Sequence, residues 1–83
     1  MQNTIRFNIY PNPAEDILFI SATNNSTPVI FQLLNWVGQK LTELRFTANA
    51  TVDVSKYAAG NYLYNILDNR GQLLKVGKIT VFR

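Results

Sequence analysis

The chain of 83 residues contains no cysteine and no histidine. The first absence removes disulfides, thiolate nucleophiles and thiolate metal sites together, so an apolar core must hold the fold unaided. The second removes the side chain most often used for proton transfer near neutral pH, which is also a common metal ligand. Acid is scarce as well: Glu15, Asp16, Glu43, Asp53 and Asp68 are the only carboxylates. They form no closely spaced run of the kind that wraps calcium. Glu15 and Asp16 are neighbours, but adjacent side chains of a strand point to opposite faces. No glycine-rich phosphate loop occurs. These absences argue against an enzyme and leave no catalytic residue, metal ligand set or cofactor-binding motif to nominate. No apolar run approaches the roughly twenty residues of a membrane-spanning helix, so no membrane insertion of the chain itself is expected. Met1-Gln2-Asn3-Thr4 lacks the regions of a signal peptide. Either the chain is cytosolic, or it is a fragment of a longer exported protein and Met1 is an added start.

What is present suits one small globular domain. An apolar fraction of 47% is too high for a disordered segment. Net charge is +3, and Arg70, Lys75, Lys78 and Arg83 all follow the last acid, Asp68. Such a basic end can attract an acidic partner surface or an anionic glycolipid. The plainer reading is lysine on an edge strand, a guard against sheet-to-sheet aggregation. No basic stripe interleaved with aromatics appears, so no nucleic acid is expected as a partner.

Residues 1–6 are polar and read as a linker, with the domain proper over 7–83. Phe7 to Tyr10 alternates and is stopped by Pro11 and Pro13, which cannot donate to a sheet ladder. Asp16 to Ser21 alternates again, Leu18 and Ile20 on one face and Ile17 and Phe19 on the other. Val29 to Leu34 is a nearly continuous apolar run, broken only by Gln32, the pattern of a central strand. Asn35-Trp36-Val37-Gly38 forms a turn, with Gly38 suited to a positive φ, and Gln39 to Phe46 returns as its hairpin partner. The phase shift between Leu41 and Leu44 predicts a bulge. A short strand at Thr51 to Val54 follows, then Asn61 to Leu67 with Tyr62, Tyr64 and Ile66 on one face, a turn at Asp68-Asn69-Arg70-Gly71, and a last strand from Gln72 to Phe82. In that strand Leu74 and Val76 have the opposite parity to Ile79 and Val81. A bulge at Gly77 would return both pairs to the core and turn Lys75 and Lys78 outward. About seven short strands and no helix predict an all-β, immunoglobulin-like antiparallel sandwich with Greek-key connections. A small closed barrel is the competing architecture.

Tyr57-Ala58-Ala59-Gly60-Asn61-Tyr62 has the form of a corner between sheets, where a tyrosine hydroxyl bonds upstream backbone. Asp53 and Ser55 are placed to satisfy backbone donors in the turn before it. Trp36, a large aromatic in a hairpin loop, either packs over the sandwich end or stands exposed as a contact for a sugar or protein. Packing is the preferred reading. Glycosylation sequons begin at Asn24, Asn25 and Asn49, a pattern frequent by chance in polar loops.

In order along the chain, Ile9-Tyr10-Pro11-Asn12-Pro13-Ala14, Asp16 to Ile20, Leu34-Asn35-Trp36-Val37-Gly38-Gln39-Lys40-Leu41, Asp53 through Tyr62 and Lys78 to Val81 resemble the C-terminal sorting domain (type A) of the type IX, or Por, secretion system of Bacteroidota. The likeness covers about residues 8–83. It implies a module joined to an N-terminal cargo domain, recognised by the outer-membrane translocon and removed by a sortase, often with attachment of the cargo to surface lipopolysaccharide. It also implies transit through the periplasm to the cell surface or extracellular space. By position, Lys75, Gly77, Lys78, Ile79 and Val81 would be the recognition residues. Tyr10, Pro11, Asn12, Pro13, Gly38, Asp53, Gly60 and Tyr62 would be the framework. Trp36 and Val37 depart from the smaller or polar residues usual in that turn. Two other readings stand beside this one. A carbohydrate-binding or adhesion module would show coplanar exposed aromatics, such as Trp36 with Tyr57 or Tyr64. An inert spacer would sit in mid-chain.

Overall fold

A computed structural model describes residues 5–82; residues 1–4 of the expected linker, and Arg83, lie outside the described residues. The strands are β1 (Arg6–Tyr10), β2 (Ile17–Thr23), β3 (Val29–Leu34), β4 (Lys40–Phe46), β5 (Asn49–Asp53), β6 (Gly60–Leu67) and β7 (Leu73–Val81). They form a three-stranded sheet in the order β1-β2-β5 and a four-stranded sheet in the order β4-β3-β6-β7. All strand pairings are antiparallel. The chain changes sheets after β2, β4 and β5, so β2–β5 and β3–β6 are neighbours without being consecutive. That interlock is the immunoglobulin-like, Greek-key arrangement, in two separate sheets and not a closed barrel.

Period-two alternation builds the core. Leu18 and Ile20 of β2 are buried, while Ile17 and Phe19 between them are exposed. Val29, Phe31 and Leu33 of β3 meet Tyr62, Tyr64 and Ile66 of β6 on the same inner face. Ala14, Ala22, Phe46, Val52, Val54, Ile79 and Val81 complete the core, with Phe7, Ile9 and Leu44 among the residues packed against it. β3 is central, between β4 and β6, which accounts for its apolar residues on both faces.

The expected β4 bulge is present: Leu33 pairs with Thr42 and Leu34 with Lys40, leaving Leu41 as the extra residue. The expected bulge at Gly77 is not. Register against β6 runs unbroken from Lys75 to Val81, and the shift falls at Leu74, between the pairs Ile66–Lys75 and Leu67–Leu73. Lys75 therefore shares parity with Ile79 and Val81, while Lys78 is on the outer face. Leu74 and Val76 do not return to the core: they are 39% and 58% exposed. Gly77 is required for a different reason. The Tyr64 ring lies over it, and a Cβ there would fall 2.5 Å from Tyr64 Cε2, Cζ and Oη.

Candidate recognition surface

β7 is one of the two edge strands of the larger sheet, and the Tyr10-Pro11-Asn12-Pro13-Ala14 phrase is built onto it. The prolines stop β1, with cis peptides at Tyr10–Pro11 and Asn12–Pro13. Beyond them the chain runs beside the end of β7. Asn12 Nδ2 donates to the Lys78 carbonyl at 3.2 Å, and the Thr80 amide donates to Asn12 Oδ1 at 3.0 Å. Ala14 makes a one-residue parallel bridge with Val81: its amide donates to the Thr80 carbonyl and its carbonyl accepts from Phe82 N–H, each at 2.8 Å. The framework phrase thus closes the edge of β7 from residue 78 to residue 82. Reading β1 and β7 as separate strands missed this contact. Its signal was an asparagine between two prolines, whose amide can both donate and accept while its neighbours hold the chain extended.

The second phrase behaves as the sequence predicts. Asp53 Oδ1 accepts from the Ser55 amide at 2.9 Å and from Ser55 Oγ at 2.6 Å. Tyr62 buries its ring and donates its hydroxyl to the Ala58 carbonyl at 2.5 Å, where the chain passes from β5 to β6. These bonds serve the turn and leave no activated nucleophile.

The hairpin loops of the larger sheet share one design that sequence reading did not bring out. Leu34-Asn35-Trp36-Val37-Gly38-Gln39-Lys40-Leu41 and Leu67-Asp68-Asn69-Arg70-Gly71-Gln72-Leu73-Leu74 match at leucine, Asn or Asp, glycine, glutamine and leucine. In each, the acceptor oxygen of Asn35 or Asp68 takes two backbone amides, Val37 and Gln39 in one, Arg70 and Gln72 in the other. Gly38 and Gly71 have φ of +91° and +86°, and each loop is followed by its bulged leucine. Trp36 does not pack over the sandwich end: it is 60% exposed at the loop tip, because Asn35 satisfies the turn and nothing draws the indole inward.

The sequence-named residues of β7 separate by depth. Lys75 and Lys78 are exposed, Gly77 is half-buried under Tyr64, and Ile79 and Val81 are in the core. Tyr64 is buried and stacks on Phe31, and Tyr57 is half-buried against Tyr62, so neither stands with Trp36 as an open aromatic platform. The exposed stacked pair is Tyr10 with Phe19, ring centroids 5.6 Å apart. Asn25 of the sequons is engaged structurally, its Nδ2 donating to the carbonyls of Thr27 and Thr47. Glu43 lies below the usual carboxylate range, held there by hydrogen bonds from Gln32 and Lys40. Burial pushes the Tyr64 hydroxyl above its ordinary range. Among the described residues no group of three or more acidic side chains converges as a metal site, and no helix is long and apolar enough to cross a membrane.

Satisfied turns and a basic edge strand, with no converging catalytic or metal-ligating groups among the described residues, define a small immunoglobulin-like β-sandwich module. The chain belongs to the family of secretion system C-terminal sorting domains, whose model matches residues 8–81, and this is the type IX family that its motifs resemble. It is a family of sorting signals and not of catalysts, found on exported proteins and engaged by secretion machinery. A search of curated proteins finds no match.

Proposed function

We propose that the sandwich directs an attached N-terminal cargo through the type IX outer-membrane translocon, with the chain ahead of β1 as the junction. On this reading the domain crosses the periplasm with its cargo, is recognised there by translocon proteins, and is cut away by a sortase. Anchoring of the cargo to surface lipopolysaccharide would follow in hosts that carry out that step.

The observation that carries this reading is β7: an edge strand bearing exposed Lys75 and Lys78, set on a framework made of the family's own phrases. Among the five recognition candidates, Lys75 and Lys78 are the side chains a partner can touch. Gly77, Ile79 and Val81 act beneath them by fixing where the strand lies. The test is export of a periplasmic reporter fused to residues 1–83 in a type IX-competent host. Surface display of the reporter is expected, and its loss when residues 74–83 are removed. Equal display of the truncated fusion would place the signal elsewhere.

A further inference from the structure

The outward-facing backbone of β7 divides into a closed half and an open half. Thr80 directs both its amide and its carbonyl away from β6, to Asn12 and Ala14, and Lys78 directs its carbonyl to Asn12. In an antiparallel ladder the side to which a residue's N–H and C=O point alternates from one residue to the next. Register from Lys75 to Val81 is unbroken, so Val76 presents its N–H and C=O to that same outer side, as does the Lys78 N–H. Among the described residues these three groups have no hydrogen-bond partner. An open stretch of strand edge of this kind is a template for another strand.

Its surroundings select the kind of strand. An open cleft of about 370 Å³ lies beside this stretch, lined by Ile5, Arg6, Phe7 and Asn8 of the β1 side and by Leu74 and Lys75 of β7. The lining alternates apolar and polar residues, and its charged groups, Arg6 and Lys75, are both basic. Neither Arg6, Lys75 nor Lys78 forms an ion pair among the described residues, where Lys40–Glu43 is such a pair. Exposed Leu73, Leu74 and Val76 supply apolar contact in the same segment. Other candidates carry less. The Tyr10–Phe19 pair is a small exposed stack, and the polar ladder Glu43–Gln32–Asn65 is internally satisfied.

We propose that residues 74–78 of β7 take up an extended segment of a partner protein as an added strand, and that this segment alternates apolar and acidic residues. The inference rests on the sorting reading for its biological setting, and its chemistry can be tested apart from it. Main-chain bonds to Val76 and Lys78 give affinity, while Lys75, Lys78 and Arg6 select acidic over basic side chains.

Two experiments separate the inference from the reading it rests on. In the first, the purified 83-residue chain is titrated with a ten-residue peptide of alternating valine and glutamate, and amide hydrogen exchange is followed by NMR. Slowed exchange at Val76 and Lys78 is expected, with no slowing by an alternating valine–lysine peptide. Val76→Pro removes the outward N–H without touching a bond to β6, and should weaken peptide binding roughly tenfold, the share of one to two main-chain bonds. Val76→Ala, which keeps the N–H, should bind nearly as the parent does. No protection by either peptide, or undiminished binding to a folded Val76→Pro chain, would overturn strand addition, and equal protection by both peptides would overturn the acidic partner. In the second, the same variants are carried on the reporter fusion. Export lost in Val76→Pro and kept in Val76→Ala supports the inference. Full export of Val76→Pro sinks it while leaving the sorting reading intact. A parent fusion that stays in the periplasm sinks the sorting reading, and the peptide titration still decides the edge.

Discussion

Gly77 of β7 and Tyr64 of β6 are opposite each other in the ladder and closely packed. The tyrosine ring stacks on Phe31 at 5.7 Å and covers the glycine, so a methyl group at residue 77 has nowhere to go without moving a core ring. Gly77→Ala should cost about 1–3 kcal/mol, the range for overpacking a filled core. Urea denaturation measures this, and a Tyr64→Leu background should recover part of it. If Gly77→Ala costs as much in that background as in the parent, the ring is not the obstacle. Asn12 is the other residue whose effect is local and readable. Its side chain serves Lys78 and Thr80 on an exposed edge, where water can replace lost partners. Asn12→Ala should therefore cost only about 1–2 kcal/mol. The same variant should speed amide exchange at Thr80 while leaving Ile79, which bonds inward to β6, close to its parent rate.

Among the elements, the repeated hairpin allows a comparison inside one molecule. Both loops hold glycine at a positive φ, where an L side chain costs about 1–2 kcal/mol. Gly38→Ala and Gly71→Ala should thus destabilise by similar amounts, read as shifts in the denaturation midpoint. A large difference would show that the equal bond patterns hide unequal strain. The strands themselves were legible because alternation is a local signal: Leu18 and Ile20 against Ile17 and Phe19 need no tertiary knowledge. The Leu41 bulge was legible for the same reason, as a break in phase. The β7 bulge was misplaced because parity alone cannot say which apolar pairs are covered. With register unbroken from Lys75 to Val81, Val76 shares the outer face with Lys78 and Leu74 is the bulged residue, so both stay exposed and no bulge at Gly77 is needed. Glycine there answers to the ring of Tyr64, opposite it in β6, which is a contact between strands and not a pattern within one. Of the recognition surface, the lysines were visible in sequence. The division of the β7 edge into closed and open halves was not, since it depends on the chain from residues 12 to 14 returning across the fold.

At the scale of the whole molecule, a cysteine-free and histidine-free chain has its pH response confined to carboxylates at one end and tyrosine and lysine at the other. Glu43 has its folded pKa lowered by Gln32 and then Lys40, so its contribution to stability is present above the unfolded carboxylate range and is lost as pH falls. The group is on the surface, and Glu43→Gln should change acid stability little. The alkaline side is more telling. Burial raises the folded pKa of Tyr64, because the phenolate would form where its hydration is incomplete. A raised folded pKa means stability fully present below the unfolded value of about 10 and lost as pH climbs through the folded one. The sandwich should therefore hold its melting temperature up to about pH 9 and lose it above about pH 10. Tyr64→Phe keeps the ring over Gly77 and its stack on Phe31 but has no proton to lose. Its melting temperature should fall less steeply than the parent's over that interval. Parallel curves for the two chains would remove Tyr64 as the cause and leave the loss to the molecule's other titrating groups.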